Sequence, residues 1–364
     1  MTSIERGSPG PAGRAAAPGK PSRRAAQPVL GLLGLLLVVP IAVVLAVGAG
    51  GDGSVLVLGP FITFGLPLVA MVAFWWDDWP GTRLRAAWSG WADTALIVAG
   101  AVVSAGLGQV VVGGFDAAAL FGADAGPGHV PAFPATLPLA GAAFVTMLQI
   151  TLVGEGRPLR RLPPLPAGLL AVAASWVIAL VVFATLVRID PPAGSGVIAR
   201  HGPVPGADAG AALITIGAGQ LLIYVVWHGR PISAIAARRV RLTTAHVSVL
   251  AAGILTYLVA RGPLGLPAGR IAAIAGCFIA AGLLVGMLFE DSVRGRLMPL
   301  VLTLALTALL AAGLDVIAGT LHLSRVGADD WVAHASLNAL STSIILHVAI
   351  GRRWPFARTS TGRE

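Results

Sequence analysis

Ten apolar runs, each long enough to cross a bilayer, divide this chain, and the loops between them alternate in arginine content. A spanning helix needs about 20 mainly apolar residues, because each residue rises about 1.5 Å and the hydrocarbon core is about 30 Å thick. The runs read as 28–50, 53–75, 92–113, 136–154, 166–187, 210–228, 243–261, 269–289, 298–321 and 332–350. A backbone in lipid must satisfy its own hydrogen bonds, so helices are expected, and the weak alternation of a membrane barrel is absent. Hydrophobic residues at 56% and charged residues at 11% agree, since a soluble domain carries about 25% charged residues. The expected fold class is an all-α integral membrane protein with ten transmembrane helices. These fill residues 28–351, behind a disordered basic tail at 1–27 and ahead of a short tail at 352–364. The first run is too long, and its leading segment too extended, for a cleaved signal peptide, so it is read as a membrane anchor.

Loop charge sets the orientation. The N-terminal tail carries Arg6, Arg14, Lys20, Arg23 and Arg24. Every second loop, with the C-terminal tail, adds Arg83 and Arg85; Arg157, Arg160 and Arg161; Arg230, Arg238, Arg239 and Arg241; Arg294 and Arg296; and Arg352, Arg353, Arg358 and Arg363. The other side holds only Arg188, Arg200, Arg261, Arg270 and Arg325, which makes twenty basic residues against five. The positive-inside rule then puts both termini in the cytoplasm of a multi-pass protein, and the abundance of Arg, Ala and Gly points to a bacterial plasma membrane. The same rule accounts for the net charge of +9. These arginines sit beside helix ends, where they meet lipid head groups, so no nucleic-acid partner is expected. Cys277 is the only cysteine, which excludes an intramolecular disulfide and a cysteine metal cluster.

The chain also reads as five tandem parallel two-helix repeats. Four even-numbered runs end alike, at Trp76-Asp77-Asp78-Trp79-Pro80, Glu155-Gly156-Arg157-Pro158, Trp227-His228-Gly229-Arg230-Pro231 and Arg352-Arg353-Trp354-Pro355. The eighth ends differently, at Glu290-Asp291-Ser292-Val293-Arg294. Because each unit crosses twice, all copies share one orientation, unlike the inverted repeats of many secondary transporters.

Polar side chains at membrane depth mark candidate chemistry. Gln149 and Gln220 lie near the midplane, and Gln220, Tyr224 and His228 are spaced as one helical stripe. Asp315 is the acid set deepest in a run, with His322 two turns further out. The tenth run is the most polar, with His334, Asn338 and Ser341 on one face and Ser336, Ser343 and His347 nearly opposite. A helix polar on two faces belongs inside a bundle rather than at lipid. The candidate polar pathway is therefore Gln149, Gln220, Tyr224, Asp315, His334, Asn338 and Ser341. Asp77 and Asp78 are expected to form ion pairs with the nearby Arg83 and Arg85.

These features support a permease-like protein for a small solute, with the lipid bilayer as its environment. One alternative is a noncatalytic subunit or scaffold of a membrane complex, partnered by other membrane subunits. Another is a membrane-embedded enzyme using the outer-loop groups His129, His201, Asp116, Asp124, Asp190 and Asp208. No Walker loop, HExxH or DxxxD pattern occurs, and no cofactor is expected, which leans against an enzyme. Fusing a cytoplasm-active reporter to either tail is expected to give activity in both cases. Opposite readings from the two tails would remove the even number of crossings.

Overall fold

The computed structural model describes residues 27–356 other than 125, 192, 294 and 296. Of the N-terminal tail expected to be disordered, only Gln27 falls within that range, and 357–364 of the C-terminal tail lie outside it. The described residues form an all-α polytopic membrane protein. Its ten long helices are α1 Val29–Val47, α2 Gly51–Phe74, α3 Ala87–Val112, α4 Leu137–Val153, α5 Pro164–Leu186, α6 Gly206–Val226, α7 Arg238–Arg261, α8 Ala268–Leu288, α9 Leu297–Thr320 and α10 Ala328–Ile350. Nine are long and apolar enough to cross a membrane, and α4 is the shorter tenth. Three very short strands, at Val187–Ile189, Arg200–His201 and Val204–Pro205, pair in the loop between α5 and α6.

The even-numbered helices pack neighbour to neighbour in the order α2, α4, α6, α8, α10 and back to α2, which closes an inner ring. Odd-numbered helices lie outside it. α3 packs on α2, α5 on α4, α7 on α6, α9 on α8, and α1 on α10. Burial follows the same division at its extremes, with α3 at 44% and α6 at 39% between them. In α2, α8 and α10, 61–67% of the spanning residues are buried, against 11–22% in α1, α5, α7 and α9. Leu36, Val44, Val103, Leu255, Leu309 and Val316 project outward, an apolar surface that suits hydrocarbon rather than water. Gln27 donates to Leu288 O, and Arg353 donates to Leu288 O and Met287 O, so both ends of the described chain meet at one rim.

The even helices share one ending. A backbone N–H reaches back five residues from Trp76 to Met71, Gly154 to Gln149, Trp227 to Leu222, Phe289 to Leu284 and Gly351 to Leu346. In four of them a second bond reaches back six, from Asp78 to Val72, Gly156 to Ile150, Gly229 to Ile223 and Arg353 to His347. The chain then turns through left-handed residues at Asp78, Gly156, Gly229, Asp291 and Arg353. This widened last turn satisfies carbonyls that an α-helix leaves without partners. It also corrects the reading of the eighth span. Glu290-Asp291-Ser292 differs in sequence, yet Phe289 and Ser292 repeat the backbone bonds made by Trp76 and Trp79.

Small residues set the spacing between the rings. A Cβ placed on Gly253 of α7 would lie 2.5 Å from Ile216 Cα of α6, and one on Gly168 of α5 would lie 2.5 Å from the Trp76 ring nitrogen. Gly253→Val is therefore expected to lower stability by about 1–3 kcal/mol, the usual cost of overpacking. Gly313→Ala on α9, where an added Cβ meets nothing within 4 Å, is expected to be neutral or slightly stabilising. Thermal unfolding of both variants in detergent tests this, and equal melting would remove the close α6–α7 approach.

Candidate functional site

The tenth helix is where polar side chains enter the bundle. From His334 to Leu340 its backbone widens into a π-helix, a form often found at functional sites. Facing it, α2 carries its own π segment at Ser54–Leu58. Trp331 Nε1 donates to Ala46 O at 3.1 Å and His334 Nε2 lies 3.1 Å from Leu45 O, so α10 satisfies two terminal carbonyls of α1. With Nε2 as the donor, His334 Nδ1 accepts from Asn338 Nδ2 at 3.3 Å. Thr63 of α2 sits 3.3 Å from Asn338 Oδ1 and donates to Gly59 O at 2.8 Å. Gly59 lies against this chain, since a Cβ there would meet His334 Nδ1 at an ordinary contact distance of 3.4 Å. A hydrogen-bonded seam thus joins α1, α10 and α2.

The seam continues down α10. Thr342 Oγ1 and His347 Nε2 are buried without a hydrogen-bond partner among the described residues. A Cβ on Gly34 of α1 would lie 3.0 Å from His347 Nε2, which places that ring against α1. Ser336, Ser341 and Ser343 turn back on their own helix, to Val332 O, Ser336 O and Ala339 O. Of the seven candidate pathway residues, His334, Asn338 and Ser341 therefore share this one helix.

The other four lie elsewhere. Gln220 is fully buried and its amide nitrogen donates to Val145 O at 3.0 Å and Gln149 Oε1 at 3.1 Å, binding α6 to α4. Tyr224 packs half-buried beside Val145, Val153 and Ile216. The expected stripe of Gln220, Tyr224 and His228 does not persist. α6 becomes a π-helix at Leu222–Val226, and His228 sits in the left-handed turn beyond it. Asp315 of α9 takes a two-pronged bond from Arg270 of α8, 2.7 Å at each oxygen, while Arg270 also reaches Asp329 of α10 at 3.2 Å. His322 is exposed and outside this group.

Several polar contacts were not legible from the sequence. Asp52 accepts from the Ser324, Arg325 and Val326 backbones and from the Ser324 hydroxyl, tying the α1–α2 turn to the α9–α10 loop. Gln109, fully buried at the end of α3, donates to Val130 O at 2.7 Å; an inventory of amides within runs would have found it. At the arginine-rich rim, Asp78 pairs with Arg352 at 2.9 Å rather than with Arg83 or Arg85. The tenth run returns to the same rim as the second, and only its end reaches that carboxylate. Burial raises the Asp78 carboxyl above its usual range, against the pull of Arg352. Arg83 instead lies over the Trp79 ring.

The outer-loop acids and histidines do not converge on one site: His129 meets Asp116, and the other acids pair elsewhere. His129 Nδ1 lies 2.7 Å from Asp116 Oδ2, Asp190 pairs with Arg188, Asp124 with Arg325, and Asp208 with Tyr257 and Arg261. Among the described residues no group of three or more His, Cys, Asp or Glu is placed to hold a metal ion. Comparison with protein-family models, curated proteins and solved structures finds no match for this chain.

Asp116 yields a pH test. The backbone N–H groups of Ala119 and Val130, then His129, hold its carboxyl below the usual range. A depressed folded pKa contributes stability above the ordinary value near about 3.9, and that contribution fades as pH falls through the lower folded value. The melting difference between wild type and Asp116→Asn is expected to shrink as pH falls below about 4. A difference independent of pH would detach Asp116 from the loop's acid response.

Proposed function

We propose that this chain is a multi-pass protein of a bacterial plasma membrane, with its arginine-rich rim and both termini in the cytoplasm, and that it acts as a permease-like protein for a small polar solute. The observation that carries this reading is the seam on α10, where Thr342 and His347 hold buried polar atoms without partners among the described residues, on the helix of the His334–Asn338–Thr63 chain. An unpaired buried polar group costs about 1–3 kcal/mol. A solute or water moving between α1, α2 and α10 relieves that cost by exchanging hydrogen bonds along the seam. Asn338 and Thr342 are four residues apart on one helix, a spacing that suits such hand-over. Gln149, Gln220, Tyr224 and Asp315 then support the bundle around this path.

A second reading, a noncatalytic subunit of a membrane complex, is favoured by the Gln149–Gln220 and Arg270–Asp315–Asp329 contacts. Their principal donors are already engaged, as a static bundle requires. Interhelical bonds of this kind stabilise by about 0.6–2 kcal/mol in a membrane.

Flux through reconstituted liposomes separates the two. Wild type is expected to pass at least one member of a panel of polyols, sugars and amino acids faster than empty liposomes. Asn338→Leu and Thr342→Val are expected to slow that flux at least about tenfold, the equivalent of one lost hydrogen bond of about 1.4 kcal/mol. Gln149→Leu is expected to retain flux with a lowered melting temperature. No flux above empty liposomes, together with co-purification of other membrane subunits in gentle detergent, would favour the second reading.

A further inference from the structure

At the arginine-rich rim, two loops from adjacent hairpins enclose a recess of about 510 Å³, lined by Glu155, Arg157, Arg160, Arg161 and Arg238. Glu155 is fully engaged. Arg241 donates to its Oε1 at 2.9 Å and Arg238 to its Oε2. Burial opposes ionisation, yet the two guanidinium groups hold the Glu155 carboxyl below its usual range. Arg157, Arg160 and Arg161 are exposed and have no acidic partner among the described residues. Arg238 Nε is buried without a hydrogen-bond partner there, because the outer nitrogen makes the bond to Glu155.

Backbone geometry holds this arrangement. Gly156 occupies the left-handed position of the α4 ending at φ 71°, and a Cβ there would lie 2.6 Å from Arg160 Nε. The Arg160 side chain therefore lies back across its own turn, over Gly156. Positive-inside topology asks only for arginines on this side of the membrane. It does not ask that four of them, from two hairpins, line one recess around a carboxylate already bonded on both oxygens.

We propose that this recess binds a phosphate-bearing anion, supplied by an anionic lipid headgroup at this rim or by a free phosphorylated solute. Guanidinium groups present paired donors that match phosphate oxygens, and four arginines against one carboxylate leave excess positive charge. The recess begins just beyond the end of α4 at Val153 and beside the start of α7 at Arg238, the level at which lipid headgroups sit. The site is independent of the solute path inside the bundle.

The test uses the full-length protein in nanodiscs. In phosphatidylcholine alone, inorganic pyrophosphate is titrated and melting is followed. In phosphatidylcholine mixed with phosphatidylglycerol, native mass spectrometry counts retained anionic lipid. Arg157→Gln with Arg160→Gln is expected to weaken binding at least about tenfold, and Arg161→Gln alone to weaken it less. Arg83→Gln with Arg85→Gln, the same charge loss elsewhere on the rim, is expected to leave binding unchanged. Melting without anion checks that each variant is folded. A response only in the lipid arm assigns the headgroup, and a response only to pyrophosphate assigns a soluble ligand. Binding in neither arm, or equal weakening by the two paired variants, would overturn the site.

Discussion

The last carbonyls of a helix have no partner within it, and near hydrocarbon there is little water to replace one. The five inner helices answer this alike, by widening the final turn so that an N–H reaches back five residues, then folding over through a left-handed residue. At the opposite rim α1 has the same problem and a different answer, since Trp331 and His334 of α10 bond to its Ala46 and Leu45 carbonyls. The first solution fixes where each hairpin turns and presents its arginines. The second joins the ends of the chain, α1 against α10, beside the α10–α2 packing that closes the ring. Ring closure and the polar seam are thus linked, because His334 bonds to α1 and to the Asn338 that meets α2.

Two rings of helices follow from this and from side-chain size. The inner helices contact one another closely because glycine lines their shared faces. A Cβ on Gly286 of α8 would meet Val225 of α6 at 2.9 Å, and one on Gly276 of α8 would meet Ser336 Oγ of α10 at 2.7 Å. With lipid tails as apolar as leucine, such close backbone approach replaces the hydrophobic drive that packs helices in water. The outer helices keep large apolar residues for the lipid face instead.

How much of this was legible in the sequence depends on range. Membrane-length helices were readable because length and hydropathy are local, and the apolar run at 136–154 holds the shorter α4. Four of the hairpin endings were visible through proline and tryptophan. The fifth was hidden, because backbone bonds at Phe289 and Ser292 define it and no shared side chain does. Partners were the least legible feature. Asp78 chose Arg352 over Arg83 and Arg85 although Arg352 is 274 residues away in sequence. Asp315 and Arg270 were both read as polar groups at the outer side, but only the α8–α9 contact makes them a pair. Periodicity misplaced His228 because a π segment intervenes, and helical spacing no longer holds beyond it.

The polar interior can be weighed as adhesive or as path by what each group has left to offer. Asp315 is neutralised by a two-pronged arginine, and the Gln220 amide nitrogen has two acceptors, so little remains for a passing molecule except Gln220 Oε1. Thr342 and His347 differ, because their buried atoms bond to nothing in the protein that the structure describes. Replacing such groups with apolar side chains of similar shape would be nearly neutral or stabilising if packing were their whole role. A helix that needed only to fill space would serve as well with valine at 342. Buried groups without partners among the described residues on this polar helix therefore weigh towards exchange with a mobile molecule, while the satisfied amides and the ion triad weigh towards holding the walls in place.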